Sequence, residues 1–221
     1  MFITLEGIEG VGKTTLLNNL AEMLRSLNHE VLVTREPGGC TLGKTLRGLL
    51  LDSRAQLSRE TELFLFLADR AQHVAEVIRP ALQRGTIVLC DRYADSTIVY
   101  QGYGRGFDVE TLHYLNDVAI GGLWPDRTLV LDMDPCKALA RARKRNTEQG
   151  LSDREGRFEA ETIHFHTSIR EGFLSWAARN TQRMIVLDAA DTPKGLLDQA
   201  LTAISIQIPF PQPPIPKGEK A

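Results

Sequence analysis

Residues 2–15 read FITLEGIEGVGKTT, a short apolar run that breaks into glycines and continues into Lys-Thr-Thr. The run fits the pattern G-x-x-x-x-G-K-[ST] at Gly7, Gly12, Lys13 and Thr14. Glycines let backbone N–H groups curl around phosphate oxygens, and a helix that starts directly after the loop points its positive dipole end at the same anion. The stretch therefore predicts a strand, a phosphate-binding loop and a helix.

The flanks of the loop favour this interpretation over an ordinary glycine turn. Residues 2–5 have the composition of a strand, and residues 15–24 have the spacing of an amphipathic helix. We expect Lys13 to reach the β- and γ-phosphates of a bound triphosphate and Thr14 to offer its hydroxyl to Mg²⁺. The predicted nucleotide-binding residues are Gly7, Glu9, Gly10, Val11, Gly12, Lys13, Thr14 and Thr15.

The length and charge of the chain limit the function classes. The 221 residues suffice for one domain with a buried core, which we expect over residues 1–205. A net charge of −2 gives no reason to expect binding to nucleic acid. The strand expected at residue 2 leaves no room for a signal peptide, and no apolar run reaches the length of a membrane span. We therefore expect a cytoplasmic protein with no membrane partner.

Cysteine and proline usage add two further expectations. Cys40, Cys90 and Cys136 are far apart and odd in number, which argues against both a disulfide framework and a zinc site. Residues 206–221 contain five prolines, which exclude a helix or a central strand. We expect this proline-rich segment to be an extended or disordered tail.

Five apolar runs rich in β-branched residues alternate with helical patterns along the chain. The runs are residues 2–5, 31–34, 86–90, 128–131 and 184–187. Parallel neighbouring strands need crossover connections, so strands separated by helices predict an α/β fold with a five-stranded parallel sheet and helices on both faces, in three layers. A long helix is expected from residue 58 or 59 to about residue 83, with an apolar stripe at Leu63, Leu67, Ala71, Val74, Ile78 and Leu82.

Polar residues follow the second and third strands, at the sheet edge where α/β proteins bind ligands. Arg35 leads into the turn-forming loop Glu36-Pro37-Gly38-Gly39-Cys40, for which a plain turn and a functional loop are equally favoured by composition. Asp91 and Arg92 end the third strand, and we expect this pair to stand beside the transferring phosphate. A structural salt bridge is the alternative.

Two residues of the long helix lie four positions apart and so share one edge of it. They are Phe66 and Arg70. From the pattern alone, core packing is favoured for Phe66 and a solvated face for Arg70.

The chain after the fourth strand predicts a capped helix and then a lid. Asp132 and Asp134 precede Pro135, which we interpret as helix capping rather than a metal site. This helix becomes basic and is followed by a polar loop. We therefore expect residues 141–158, approximately, to form a lid. A solvated surface is the alternative for the basic residues, although phosphoryl transfer needs movable positive charge and the planar fork of arginine suits it. Helix is expected again from Gly156 towards Asn180.

Taken in order, these motifs resemble the bacterial thymidylate kinase family from residue 2 to about residue 205. The resemblance rests on EGIEGVGKT at 6–14, REPGG at 35–39, DRY at 91–93, and YQG at 100–102 followed by Gly-Arg at 104–105. Each motif is modest alone, but their order and spacing together are specific. The EPGG loop and the DRY segment separate this family from adenylate and shikimate kinases, which share only the fold and the phosphate loop.

The resemblance implies a fold, a reaction and partners. The fold would be that of the P-loop nucleoside monophosphate kinases, with a mobile lid. The enzyme would transfer the γ-phosphoryl group of ATP to dTMP with the help of Mg²⁺, giving ADP and dTDP for dTTP biosynthesis. It would work as a homodimer on small-molecule substrates.

The resemblance also implies roles for individual residues of the substrate site. Phe66 would stack on thymine and Arg70 would hydrogen-bond the carbonyl edge of the base. Arg92 would hold the dTMP phosphate, and Tyr100 would crowd the 2′ position of the sugar and so favour deoxyribose. The other implied contacts are Glu9 near the sugar 3′-hydroxyl, Pro37 in the pocket wall after a cis peptide bond, and Thr97 and Gln101 at the base.

Metal binding would involve Thr14 together with Asp91, which would orient Arg92 or a metal-bound water. The phosphate loop carries Glu9-Gly10 and no arginine, so the resemblance implies that the lid supplies the catalytic arginine. The family's usual lid signature is Asp-Arg-x-Glu, whereas this chain has GRFE at 156–159 and a separate Asp-Arg at 153–154. The candidates are therefore Arg141, Arg143, Arg145, Arg154 and Arg157, of which Arg143, Arg154 and Arg157 join Lys13 and Arg92 in the expected catalytic set.

Two rival functions remain open at this point. The first is a kinase for another nucleoside monophosphate, such as CMP or UMP. The second is a P-loop nucleotide-binding switch, which should carry an Asn-Lys-x-Asp guanine signature that this sequence lacks.

Overall fold

The computed structural model describes residues 1–149 and 157–204. The strands are β1 (Phe2–Glu6), β2 (Val31–Arg35), β3 (Ile87–Asp91), β4 (Arg127–Asp132) and β5 (Met184–Asp188). The α-helices are α1 (Lys13–Ser26), α2 (Thr41–Leu51), α3 (Arg59–His73), α4 (Arg79–Gln83), α5 (Ala94–Thr97), α6 (Val109–Ile120), α7 (Pro135–Gln149), α8 (Ile163–Arg179) and α9 (Pro193–Ile204). The predicted tail at 206–221 and the lid residues 150–156, Arg154 among them, lie outside the described residues.

The sheet is parallel throughout, in the order β2-β3-β1-β4-β5. This confirms the predicted five-stranded parallel sheet. β1 lies at its centre, and Leu5 is in register with Asp91 of β3 and with Leu129 of β4. The loop after β1 and the residues after β3 therefore leave the same edge of the sheet side by side, which is where ligands bind in open α/β sheets.

Helices pack on both faces of the sheet because the strand residues alternate between them. Ile3, Leu5 and Leu89 are fully buried in the cluster to which α1 contributes Leu16, Leu17, Leu20 and Leu24. Their neighbours Phe2, Val88 and Cys90 are fully buried in a second cluster with Val74, Ile78 and Ala81. Burying one such side chain stabilises a fold by about 1.5–3 kcal/mol, so these two clusters hold the loops at the sheet edge in place.

The long helix expected up to residue 83 is continuous, but it is not α-helical throughout. A π-helical segment, Val74–Ile78, joins α3 to α4, and a second one, Ile98–Gly104, continues α5. The side chain of Ser58 caps α3 by accepting a hydrogen bond from the backbone N–H of Thr61, at 3.2 Å. Leu63, Leu67, Val74 and Ile78 of the predicted apolar stripe are buried as expected.

The helix was expected to resume at Gly156, which lies outside the described residues, but the described residues that follow are not helical at once. Residues 157–160 form turns, and α8 begins at Ile163. The hydroxyl of Thr162 accepts a hydrogen bond from the N–H of Phe165 at 3.2 Å, which caps the helix at this point. At the start of α7 the capping prediction is confirmed for Asp134, whose carboxylate accepts from the N–H of Lys137 at 3.1 Å. Within residues 1–149 and 157–204, no helix is long and apolar enough to cross a membrane.

Candidate active site

A cavity of about 740 Å³ lies at the sheet edge beside the loop that follows β1. The predicted site residues that line it are Glu9, Gly10, Val11, Gly12, Lys13, Thr14, Thr15, Pro37, Phe66, Asp91, Arg92, Thr97, Tyr100 and Gln101. The predicted residues that do not line it are Gly7, Arg70, Arg143 and Arg157. The structure therefore brings the loop, both sheet-edge motifs and one edge of α3 together around one volume.

The phosphate loop has the backbone that its glycines predict. Gly10 and Gly12 have φ angles of +80° and +100°, in the region that favours glycine. A side chain at Gly10 would also collide with the carbonyl oxygen of Ala138 on α7. Lys13 is the first residue of α1, and its ammonium donates to the carbonyls of Gly7 and Ile8 at 3.0 and 2.8 Å. The loop thus holds a buried cation at its mouth.

Burial also changes the acidity of that cation. The pKa of Lys13 falls to about 8, chiefly because burial disfavours the ammonium form and because the positive charge of Arg92 lies nearby. Because burial destabilises the ammonium form of Lys13, an anion that enters the loop would stabilise it. The loop geometry and the charge of Lys13 therefore suit a phosphate group.

The residues present also fit Mg²⁺. The hydroxyl of Thr14 donates to Oδ2 of Asp91 at 3.1 Å. Oδ1 of Asp91 is buried and has no hydrogen-bond partner within the described part of the chain. A hydroxyl and a carboxylate are oxygen ligands of the kind that Mg²⁺ takes, usually in combination with substrate phosphates rather than in a cage made by protein alone. The described residues contain no group of three or more His, Cys, Asp or Glu side chains that could hold a metal.

Arg92 stands at the centre of a charged cluster on the cavity wall. Its guanidinium donates to Oε1 of Glu9 at 2.7 Å and to the hydroxyl of Tyr100 at 2.9 Å. The Tyr100 hydroxyl donates to the same Glu9 oxygen at 2.7 Å. Although burial opposes ionisation of Glu9, Arg92 and the other donors hold the pKa of that carboxyl well below its usual range. The cluster presents a fixed guanidinium and an ionised carboxylate to the cavity.

The backbone and a second carboxylate hold Arg92 in this position. Arg92 has a φ of +68°, a left-handed conformation that costs a residue with a side chain about 1–3 kcal/mol. Its guanidinium also donates to the hydroxyl of Ser96 at 3.2 Å, and that hydroxyl donates to Glu6 at 2.6 Å. Burial raises the pKa of Glu6 to about 7. Ser96 lines the cavity and was not among the site residues predicted from the sequence.

Arg70 is not on a solvated face, so the expectation from the helical pattern alone is wrong. The side chain is 1% exposed and donates to Glu36 at 2.8 Å, to Thr97 at 2.8 Å and to Asn116 at 2.7 Å. Glu36 in turn accepts a hydrogen bond from Nδ1 of the His73 ring at 2.9 Å. Arg70 points inward because the carboxylate of Glu36, in the loop after β2, is buried beside it and pairs with it. The base contact implied for Arg70 stays a prediction.

The loop after β2 has the peptide geometry that the resemblance implies. The Glu36–Pro37 bond is cis. Pro37 lines the cavity, so this loop forms part of the wall and is more than a plain turn.

Three aromatic rings form another part of the cavity wall. The ring centroid of Phe158 lies 6.3 Å from that of Phe66 and 5.4 Å from that of Tyr100, to which it is edge-on. Phe158 was not predicted as a site residue from the sequence. Its position within GRFE at 156–159, in the register of the lid signature, could have indicated it. Gln101 lines the same cavity and donates its amide N–H to Glu62 at 2.8 Å.

The arginines considered for the lid occupy different places. Arg157 donates to the Leu50 carbonyl at 3.1 Å and pairs with Glu62 at 2.6 Å. Arg143 lies exposed on α7, whereas Arg141 lines the cavity and donates to the carbonyl of Ala189 at 3.5 Å. The cavity residues for which the sequence carried no proposal include Asn19, Arg47, Leu51, Ser96, Phe158 and Glu159.

The chain is similar to known thymidylate kinases over nearly its whole length. The family model described as Thymidylate kinase matches residues 5–200. The thymidylate kinase of Nitratidesulfovibrio vulgaris (strain DSM 19637 / Miyazaki F) is 55% identical over 215 residues, which cover 97% of this chain and 100% of that protein. The thymidylate kinase of Oleidesulfovibrio alaskensis is 55% identical over 206 residues, 93% of this chain and 97% of that one.

A solved structure agrees with the sequence comparisons. The crystal structure of thymidylate kinase from Ehrlichia chaffeensis matches with a TM-score of 0.75 at 34% identity, over 92% of this chain and 98% of that one. The phosphate loop, the charged cluster and the aromatic wall thus occur in a chain whose fold and sequence both match the same kinases. We conclude that the chain belongs to the thymidylate kinase family, whose members are nucleoside monophosphate kinases.

Proposed function

We propose that the protein transfers the γ-phosphoryl group of ATP to dTMP in a Mg²⁺-dependent reaction, giving ADP and dTDP for dTTP biosynthesis. The observation that carries the proposal is that one cavity holds both a phosphate loop with Lys13 and an independent guanidinium, Arg92, beside the aromatic ring of Phe66. A loop for one phosphate chain and a fixed cation for another suit a donor and an acceptor that are both phosphorylated. We place the reaction in the cytoplasm, where ATP is abundant.

On the donor side, we assign ATP to the loop from Glu9 to Thr15, with Gly7 shaping the turn that precedes it. Lys13 would exchange the carbonyls that it now contacts for β- and γ-phosphate oxygens. Thr14 and Asp91 would hold Mg²⁺, which neutralises charge on the phosphates. Little covalent chemistry is required of the protein, because positioning and charge neutralisation dominate phosphoryl transfer.

On the acceptor side, we assign the phosphate of dTMP to Arg92 and its thymine ring to Phe66. Tyr100 would lie against the 2′ position of the sugar, and Glu9 beside the 3′-hydroxyl. Pro37, Thr97 and Gln101, which line the cavity, would complete the pocket. Arg70, which is bonded to Thr97, would act on the base from behind this wall.

We propose that a lid arginine adds positive charge during transfer, because the phosphate loop contains no arginine. Arg157 is engaged by Glu62 and by the Leu50 carbonyl, so it anchors the segment after the lid. That engagement favours Arg143 or Arg154 over Arg157 as the arginine that reaches the γ-phosphate. Lid closure would also exclude water that could hydrolyse ATP.

The substrate profile tests the proposed reaction. In a coupled assay with ATP and Mg²⁺, we expect dTMP to have the highest kcat/KM, about tenfold above dUMP, since one methyl group in an apolar pocket is worth that much. CMP and UMP should be poorer still. A preference for CMP or UMP would reassign the acceptor. ATP hydrolysis that needs no acceptor would favour the nucleotide-binding switch.

We further propose that the protein forms a homodimer through the exposed apolar residues of α3 and α6. These helices pack against each other, and Phe64, Tyr114 and Val118 are 59%, 68% and 64% exposed. Light scattering should give about twice the chain mass of 24.6 kDa, and Phe64→Asp should shift the protein towards the monomer because it buries a charge in the interface. A monomeric wild-type protein at micromolar concentration would refute the assignment.

A further inference from the structure

His166 lies on α8 and is completely buried. Neither of its ring nitrogens has a hydrogen-bond partner within residues 1–149 and 157–204. Nδ1 lies 3.4 Å from Oε2 of Glu9, and this oxygen is likewise buried without a hydrogen-bond partner in the described chain. An unsatisfied buried polar group costs about 1–3 kcal/mol, so two of them facing each other require an explanation.

The two oxygens of Glu9 have different surroundings. Oε1 accepts from the guanidinium of Arg92 and from the hydroxyl of Tyr100, both at 2.7 Å. Neither of these groups donates to Oε2. Glu9 lines the cavity. The orientation of Oε2 therefore depends on what lies behind it, where the structure places Nδ1 of His166 at 3.4 Å.

His166 has a rigid support. Phe165 lies edge-on to its ring, with centroids 5.7 Å apart, and Ile169 and Phe173 of the same helix are buried in the core. Arg170 of α8 binds Asp132 at the end of β4 through two hydrogen bonds of 2.6 and 2.9 Å. The helix can thus hold the imidazole at a constant position relative to the phosphate loop.

We propose that His166 is a positioning residue for Glu9. Its neutral tautomer with a proton on Nδ1 supplies the donor that Oε2 lacks and so fixes the plane of the carboxylate that receives the 3′-hydroxyl of dTMP. The inference rests on the proposed function, which places Glu9 beside this hydroxyl. Arg92 already balances the charge of Glu9, and an imidazolium would bury a further charge and an unpaired N–H on Nε2, whereas the neutral ring leaves only an unpaired acceptor.

The kinetic test uses His166→Leu with dTMP and with its 3′-deoxy analogue. For dTMP we expect KM to rise about tenfold, the equivalent of one hydrogen bond to a charged group, with kcat and the KM for ATP changed less than about twofold. For the 3′-deoxy analogue KM should stay within about twofold of the wild-type value, because the analogue lacks the hydroxyl that Glu9 is held to receive. His166→Asn, which keeps a donor near the Nδ1 position, should restore the KM for dTMP.

The controls separate this inference from the proposed function and from loss of folding. His164→Leu alters an exposed histidine of the same helix and should change neither KM. The ¹⁵N NMR signals of His166 in the free wild-type protein should show a protonated Nδ1 and a bare Nε2, a readout that requires no activity. A bare Nδ1 overturns the proposal, whether or not dTMP is a substrate and even where His166→Leu fails to fold.

Two kinetic outcomes also overturn it while leaving the proposed function intact. One is an equal rise in KM for dTMP and for its 3′-deoxy analogue in His166→Leu. The other is a variant that phosphorylates dTMP with an unchanged KM. A wild-type protein that does not phosphorylate dTMP contradicts the proposed function instead. The NMR signals then still test which ring nitrogen of His166 carries the proton.

Discussion

Replacing Lys13 by alanine should lower kcat for phosphoryl transfer by about a thousandfold, since one preorganised donor to a developing charge is worth about 10²–10³ in rate. The ammonium of Lys13 lies between the carbonyls of Gly7 and Ile8, inside the loop that we assign to the phosphates of ATP. Folding should not suffer. The pKa of Lys13 is lowered to about 8, so its ammonium form costs more free energy in the folded than in the unfolded state, and removing it costs no charge stabilisation.

Single-turnover kinetics measure the effect of Lys13→Ala, and urea unfolding at pH 7 measures the stability. The sign of the pKa shift predicts that the wild-type protein gains stability from Lys13 as the pH rises from about 8 towards the ordinary lysine pKa, because the unfolded state then binds more protons. The Lys13→Ala variant should lack this gain. Lys44→Ala, at an exposed position of α2, is the matched control and should change neither quantity. Near-normal turnover of Lys13→Ala would remove the loop from the reaction.

Replacing Arg70 by methionine should destabilise the protein by about 3–5 kcal/mol, the cost of breaking a buried ion pair by removing one partner. Arg70 is 1% exposed, and Glu36, its partner at 2.8 Å, is 3% exposed. Without the guanidinium, the Glu36 carboxylate keeps, among the described residues, the ring of His73 as its side-chain partner. Methionine preserves much of the side-chain volume, so the loss reports on the charge and the hydrogen bonds rather than on a cavity.

Urea unfolding of Arg70→Met, of Glu36→Gln and of the double variant isolates the pair. The double variant should be less destabilised than the sum of the two single ones, by about 1–3 kcal/mol, because each single change leaves a buried partner unpaired. The alternative is a base contact alone. In that case Arg70→Met would unfold like the wild-type protein and would show only a raised KM for dTMP.

Local patterns in the sequence were sufficient to predict most of the fold. The five strands, the phosphate loop and the apolar stripe of α3 follow from alternation, glycine spacing and helical periodicity, all of which act over a few residues. The ordered motifs also predicted which sheet-edge residues face the cavity, Arg92 among them. The cis bond before Pro37 came from family resemblance rather than from the local pattern.

A phosphate loop on a parallel sheet thus follows from the residues of the chain alone, because backbone preferences and hydrophobic patterns are local. Which polar side chains are buried, and with which partners, depends on contacts between residues distant in the chain. Arg70 meets Glu36 and Asn116 across separations of 34 and 46 residues, and Arg157 reaches the Leu50 carbonyl across 107. Helical periodicity places such a side chain on a face. Helical periodicity does not predict that a carboxylate from a loop distant in sequence lies opposite Arg70. This partner is the reason that Arg70 is buried rather than exposed.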